Sequence, residues 1–172
     1  MQELEWTSQI VPELLLAGLV LLLLPLGVFL PQRRQSVATW VAILGLALAA
    51  IATVRMVGEA PRAVFGDTYV VDPFALYFKL FAIVATALTL LATVGHFRCN
   101  PLAGAVPALL VLTCLGIVGL AASQDLALIA LFLQITTVGS YVLVAIAKDN
   151  RLATEAALKL FLFSAVASAI MI

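Results

Sequence analysis

The sequence predicts an all-α integral membrane protein, a bundle of about six transmembrane helices. Three observations predict it. Of 172 residues, 65% are apolar and only 10% are charged, whereas a soluble domain is about a quarter charged. A globule of this size cannot bury so much apolar surface from water, so a second apolar phase is required. The apolar residues also gather into runs of roughly 20, the length that spans ~30 Å of hydrocarbon at ~1.5 Å per residue. Helices follow because nothing in hydrocarbon can satisfy an open backbone. A β-barrel would need shorter strands alternating polar and apolar residues, and these runs are apolar on all sides.

The runs lie at 10–30, 37–57, 74–95, 103–122, 126–146 and 155–172, so residues 1–9 form a segment outside the helical domain 10–172. The first run is expected to be a span rather than a cleaved signal. Glu3 and Glu5 precede it with no Lys or Arg, the wrong charge for a signal. Pro12 suits a first helical turn, and Glu13 beside it meets the positive helix end, a structural role. Pro25 and Pro107 are expected to bend or bound their helices. The links are short except for 58–73. That link contains Gly66-Asp67-Thr68-Tyr69-Val70-Val71-Asp72, a turn signal followed by β-prone residues, read as a short hairpin or extended loop at the membrane surface. The last run ends in Ser168-Ala169-Ile170-Met171-Ile172 without a polar exit. A truncated, split or partly represented chain is the expectation.

Nine basic and nine acidic residues cancel. There is no Lys/Arg stripe, so the pattern argues against nucleic acid as a partner. The links after the first, third and fifth helices hold Arg33, Arg34, Arg98, Lys148 and Arg151; the opposite side holds Arg55 and Arg62. The positive-inside rule puts the first set in the cytoplasm or matrix and the N-terminus outside. Phosphate loops, dinucleotide fingerprints, metal-spaced His/Cys clusters and nucleophile elbows are missing. His96 reads as a loop residue. Cys99 and Cys114 read as unpaired apolar thiols. No cofactor and no metal are expected on this chain.

An ionisable residue inside a span is costly and therefore a functional candidate. Lys159 is the sharpest, about 10 Å into a helix starting near Leu152. Burial would lower its pKa and suit it to carry a proton; paired with Glu155 at i,i+4, it also reads as a snorkelling anchor. Gln134 shares a face with Thr137 and Tyr141, and a buried amide must meet protein or water there. It reads as a packing contact ahead of a pathway residue. Lys79, in the first turns of the third helix, reads as a snorkelling anchor ahead of a pathway residue. Lys159, Glu155, Gln134 and Lys79 are the proton-pathway candidates.

Several segments carry a resemblance. They are Val11-Pro12-Glu13-Leu14-Leu15-Leu16, Val71-Asp72-Pro73-Phe74-Ala75-Leu76-Tyr77-Phe78-Lys79 and Gly119-Leu120-Ala121-Ala122-Ser123-Gln124-Asp125-Leu126. They continue with Leu131-Phe132-Leu133-Gln134, Tyr141-Val142-Leu143 and Thr154-Glu155-Ala156-Ala157-Leu158-Lys159-Leu160-Phe161. In order and spacing the chain resembles the N-terminal part of subunit N (subunit 2) of proton-translocating NADH:quinone oxidoreductase, respiratory complex I. That subunit belongs to the antiporter-like membrane subunits. The resemblance implies a membrane-arm subunit of about fourteen helices in two inverted repeats, without a redox cofactor, moving protons along buried Glu, Lys and His. Lys159 matches a family lysine and Glu155 the acid before it. Gln134 stands where the family usually has Glu, and an amide cannot tune a lysine by charge.

The expected function is therefore participation in coupling NADH:quinone electron transfer to proton translocation, with Gln134 marking a modified site. The alternatives are a structural or assembly fragment without transport of its own, and a stand-alone six-helix carrier. Expected partners are other complex I membrane-arm subunits, the lipid bilayer and, as one alternative, a separate chain supplying the remaining helices. The expected location is a bacterial plasma membrane or mitochondrial inner membrane.

Overall fold

The computed structural model describes residues 10–29, 35–58, 62–64, 68–94, 103–146 and 150–171. The outer segment 1–9 lies outside them, as do Arg33, Arg34, Glu59, Asp67, His96, Arg98, Cys99 and Lys148. The described residues form α1 (Val11–Phe29), α2 (Gln35–Arg55), β1 (Arg62–Val64), β2 (Tyr69–Val71), α3 (Pro73–Thr93), α4 (Val106–Ala122), α5 (Leu126–Val144) and α6 (Arg151–Met171). A 3-10 turn, Ala103–Ala105, leads into α4. Helices α2, α3, α5 and α6 are each long and apolar enough to cross a membrane by length and composition. α1 is apolar from Val11 to Gly27, and the 17 residues of α4 cover about 25 Å.

Local chemistry sets the helix starts. The Asp72 carboxylate accepts the Ala75 amide at 2.6 Å, and Pro73 occupies the first turn of α3, where its missing N–H costs nothing. The last helix begins at Arg151, four residues before the apolar run and one before the Leu152 start used to place Lys159. The Asn150 side chain accepts the Leu152 amide at 3.0 Å, an N-cap that lengthens the helix beyond its apolar run.

α4 is the hub. It packs against α1, α2, α3 and α5, and α6 packs on α5. The core is an apolar cluster of Leu16 and Leu23 from α1, Ala42 and Leu46 from α2, Ile83 and Leu90 from α3, and Val111 and Val118 from α4. Small residues let the helices approach closely, which substitutes for the hydrophobic drive that lipid cannot provide. At the α4–α5 crossing, a Cβ on Gly116 would sit 2.8 Å from the Thr136 amide nitrogen and 2.9 Å from the Phe132 carbonyl oxygen. The outer faces stay apolar, with Leu21, Phe81 and Ile170 among the exposed side chains, as contact with lipid requires.

The hairpin expected between the second and third helices is present. β1 and β2 pair antiparallel, Arg62 opposite Val71 and Val64 opposite Tyr69. Strand β2 also reaches the α4–α5 link. Tyr69 forms a bridge with Ser123, and the Gln124 amide donates to the Thr68 carbonyl at 2.9 Å.

Candidate functional site

Two polar constellations stand out in the apolar bundle. The first is buried. Glu13 lies in the first turn of α1, Lys79 six residues into α3, and Tyr69 on β2. Lys79 Nζ lies 2.7 Å from Glu13 Oε1 and donates to the Tyr69 hydroxyl at 3.0 Å. The Tyr69 hydroxyl donates to the same Glu13 Oε1 at 2.6 Å. Lys79 is fully buried and Glu13 is 6% exposed, so each charge is compensated inside the fold, as buried charges must be. Lys79 also lies 5.0 Å from the Tyr69 ring centroid, within cation–π range. Burial first, and then the Glu13 charge and hydrogen bond, raise the Tyr69 phenol pKa well above its ordinary value, so Tyr69 acts as a donor.

This geometry corrects the reading of Lys79 as a snorkelling anchor. A snorkelling lysine keeps its ammonium in water, whereas this ammonium turns inward to a carboxylate. Tyr69 was not singled out by sequence reasoning. The available signal was the common end of the bundle: α1 and α3 both start there, with opposite charges within two turns of their starts and the hairpin beside them.

The second constellation lies on α5 and α6. Ser168 donates to Gln134 Oε1 at 3.2 Å, and Tyr141 meets Phe161 edge-to-face with centroids 5.5 Å apart. The Gln134–Tyr141 face of α5 therefore looks onto α6. An open apolar groove of about 850 Å³ runs beside it, lined by Leu112, Ala130, Leu131, Gln134, Ser168 and Met171 among others. Lys159 points elsewhere. Ala157 is the residue of α6 that is buried, and two residues on, at ~100° each, the side chain leaves from the opposite face. Lys159 pairs with Glu155 at 2.7 Å, with the side chains 65% and 56% exposed. With α6 starting at Arg151, the ammonium-bearing residue is about 12 Å along the helix. The structure thus joins Lys159 to Glu155 and Gln134 to Ser168, and does not bring Lys159 to Gln134 or to Lys79. Among the described residues, no group of three or more His, Cys, Asp or Glu could hold a metal ion. Cys114 is free and buried in α4.

The described residues form six apolar helices carrying ion pairs between and along them, the architecture of a helical membrane protein. Residues 123–172 match the family described as NADH:quinone oxidoreductase/Mrp antiporter, TM. NADH-quinone oxidoreductase subunit N 1 of Rhizobium meliloti is 34% identical over 162 residues, 94% of this chain and 33% of that protein. Subunit N of Trichlorobacter lovleyi is 31% identical over 159 residues, 91% of this chain and 32% of that protein. A chain of the solved respiratory complex I from Thermus thermophilus with bound Aureothin matches with a TM-score of 0.74 and 28% identity, over 92% of this chain and 34% of that one. Over most of its length, this chain is similar to the subunit N proteins of NADH-quinone oxidoreductase. It spans about a third of their length.

Proposed function

We propose that this chain is part of the membrane arm of a complex I-type NADH:quinone oxidoreductase, contributing to the coupling of quinone reduction to proton translocation. In this reading it corresponds to the N-terminal third of subunit N. Its N-terminus faces outward, because Arg and Lys concentrate in the links of the other side. It holds no redox cofactor, and its partners are the helices that complete the subunit and the neighbouring arm subunits. The observation that carries this reading is similarity to subunit N along 94% of the chain. The Lys159–Glu155 pair supports it. An ion pair on the outer face of a spanning helix is costly against lipid, so this face is expected to meet protein in the assembled arm.

A second reading is a structural segment without a proton-carrying role. Two observations favour it: Lys159 is paired locally within its own helix, and the amide of Gln134 cannot ionise. Lys159→Ala separates the two. Proton pumping coupled to quinone reduction, measured in sealed vesicles, should fall while assembly stays normal. Unchanged pumping with normal assembly would establish the structural reading instead.

A further inference from the structure

Helix α3 buries Ala75, Leu76, Lys79 and Ile83 against the bundle. At ~100° per residue, the centre of its opposite face is the stripe Tyr77, Phe81, Val84, Leu88 and Leu91, all exposed. Phe74 and Phe78, exposed as well, flank the N-terminal end of the stripe. The Phe74 and Phe78 ring centroids lie 4.6 Å apart, and Phe78 meets Tyr77 edge-on at 5.7 Å. The first turns of α3 thus carry a continuous aromatic patch over about 10 Å of helix. Beyond Phe81 the stripe is aliphatic.

Two features of the stripe identify what it meets. Where helices of this chain pack on one another, small residues and hydroxyls lie at the crossing, as at Gly116 against Thr136 and Gly139 against Thr113. Close approach and hydrogen bonds of that kind hold helices together in lipid. The centre of the α3 stripe has no small residue, and its one polar group is the Tyr77 hydroxyl at the end nearest the helix start. The second feature is order. Aromatic rings come first and aliphatic side chains follow, as in a bilayer leaflet read from headgroups to acyl chains. The polar cap Asp72 precedes the rings, on the side where water is expected.

We propose that the outer face of α3 is a standing contact with lipid, its aromatic patch seated at the headgroup–acyl boundary and its aliphatic part in the hydrocarbon. This sets the depth of the helix. Lys79 lies between Phe78 and Phe81 along the axis, so its pair with Glu13 sits near the membrane surface and away from the bilayer midplane. A face held by lipid also stays at the perimeter of any assembly that the chain enters. The proposal does not depend on the membrane-arm reading.

Site-specific photo-crosslinking tests it, on the chain in phosphatidylcholine nanodiscs together with the polypeptides that co-purify. The photoreactive residue p-benzoylphenylalanine is placed at position 77, 81 or 88 in turn; all three side chains are exposed. After illumination, each chain should gain the mass of one phosphatidylcholine. Fragmentation of the adducts should place the attachment nearer the headgroup for 77 than for 88. Cross-links to another polypeptide at 81 and 88 would overturn the proposal and make this face a protein interface. Attachment at equal depth from 77 and 88 would overturn the interfacial seat of the rings. Absence of any adduct at all three positions would overturn the lipid contact, because acyl chains would then be out of reach.

Discussion

Replacing Lys79 with Met keeps the length of the side chain and removes its charge. Lys79 Nζ and Glu13 Oε1 lie 2.7 Å apart, and two unit charges at that separation attract by about 6 kcal/mol at an effective dielectric near 20. Most of that attraction offsets the desolvation of two ions, so the pair is nearly neutral against an apolar replacement of equal volume. Breaking it from one side is different. Lys79→Met leaves the Glu13 carboxylate buried with only Tyr69 to bond it, and an uncompensated buried charge costs about 3–5 kcal/mol. Adding Glu13→Gln removes the stranded charge, so the double variant should recover most of that loss. Equilibrium denaturation of the four proteins in mixed micelles provides the cycle. A Lys79→Met loss under about 1 kcal/mol, or a double variant no more stable than the weaker single one, would refute the reading that these charges compensate each other inside the fold.

Three other outcomes follow from the geometry. Gly116→Ala should cost about 1–3 kcal/mol, because its Cβ would press on the backbone of Thr136 and Phe132; denaturation in mixed micelles measures it, and Gly18→Ala, where the space is open, serves as the control. Gln134→Leu should cost about 0.6 kcal/mol, a typical interhelical hydrogen bond in a membrane protein, and Ser168→Ala about the same, with no further loss when the two are combined. Tyr69 should remain protonated in the folded chain at a pH where it ionises in the unfolded chain, as followed by phenolate absorbance. With a folded pKa raised above the ordinary value of about 10, its contribution to stability is complete below that pH and is lost as the pH rises above it; Tyr69→Phe should remove that part of the alkaline dependence.

The fold class was legible because the bilayer sets a length that can be counted. The helices lie where the apolar runs lie, and the hairpin follows from Thr68 to Val71. The apolar run from 155 understates α6, because a capped first turn need not be apolar; the start near Leu152 used to place Lys159 lies one residue from the observed Arg151. The Glu13–Lys79 pair was missed for a different reason. The two residues are 66 positions apart, and helical periodicity carries no information about which helices touch. Each residue alone fits a bland role at a helix end; only the shared end of α1 and α3 pairs them. The separation of Lys159 from Gln134 was equally hidden, since it depends on the rotation of α6 about its axis, which Ala157, Phe161 and Ser168 set by facing α5.

The central position of α4 has a consequence for how the chain is made. Helices leave the ribosome in order, and the first three arrive before the one on which all of them pack. Until Ala122 has emerged, the inward faces of α1, α2 and α3 have lipid or one another as neighbours, and the small residues that later admit α4 leave a seam. The early helices therefore have the α1–α2 and α2–α3 packing to hold them. The arrival of the fourth turns them into a single body, to which α5 and then α6 are added one side at a time.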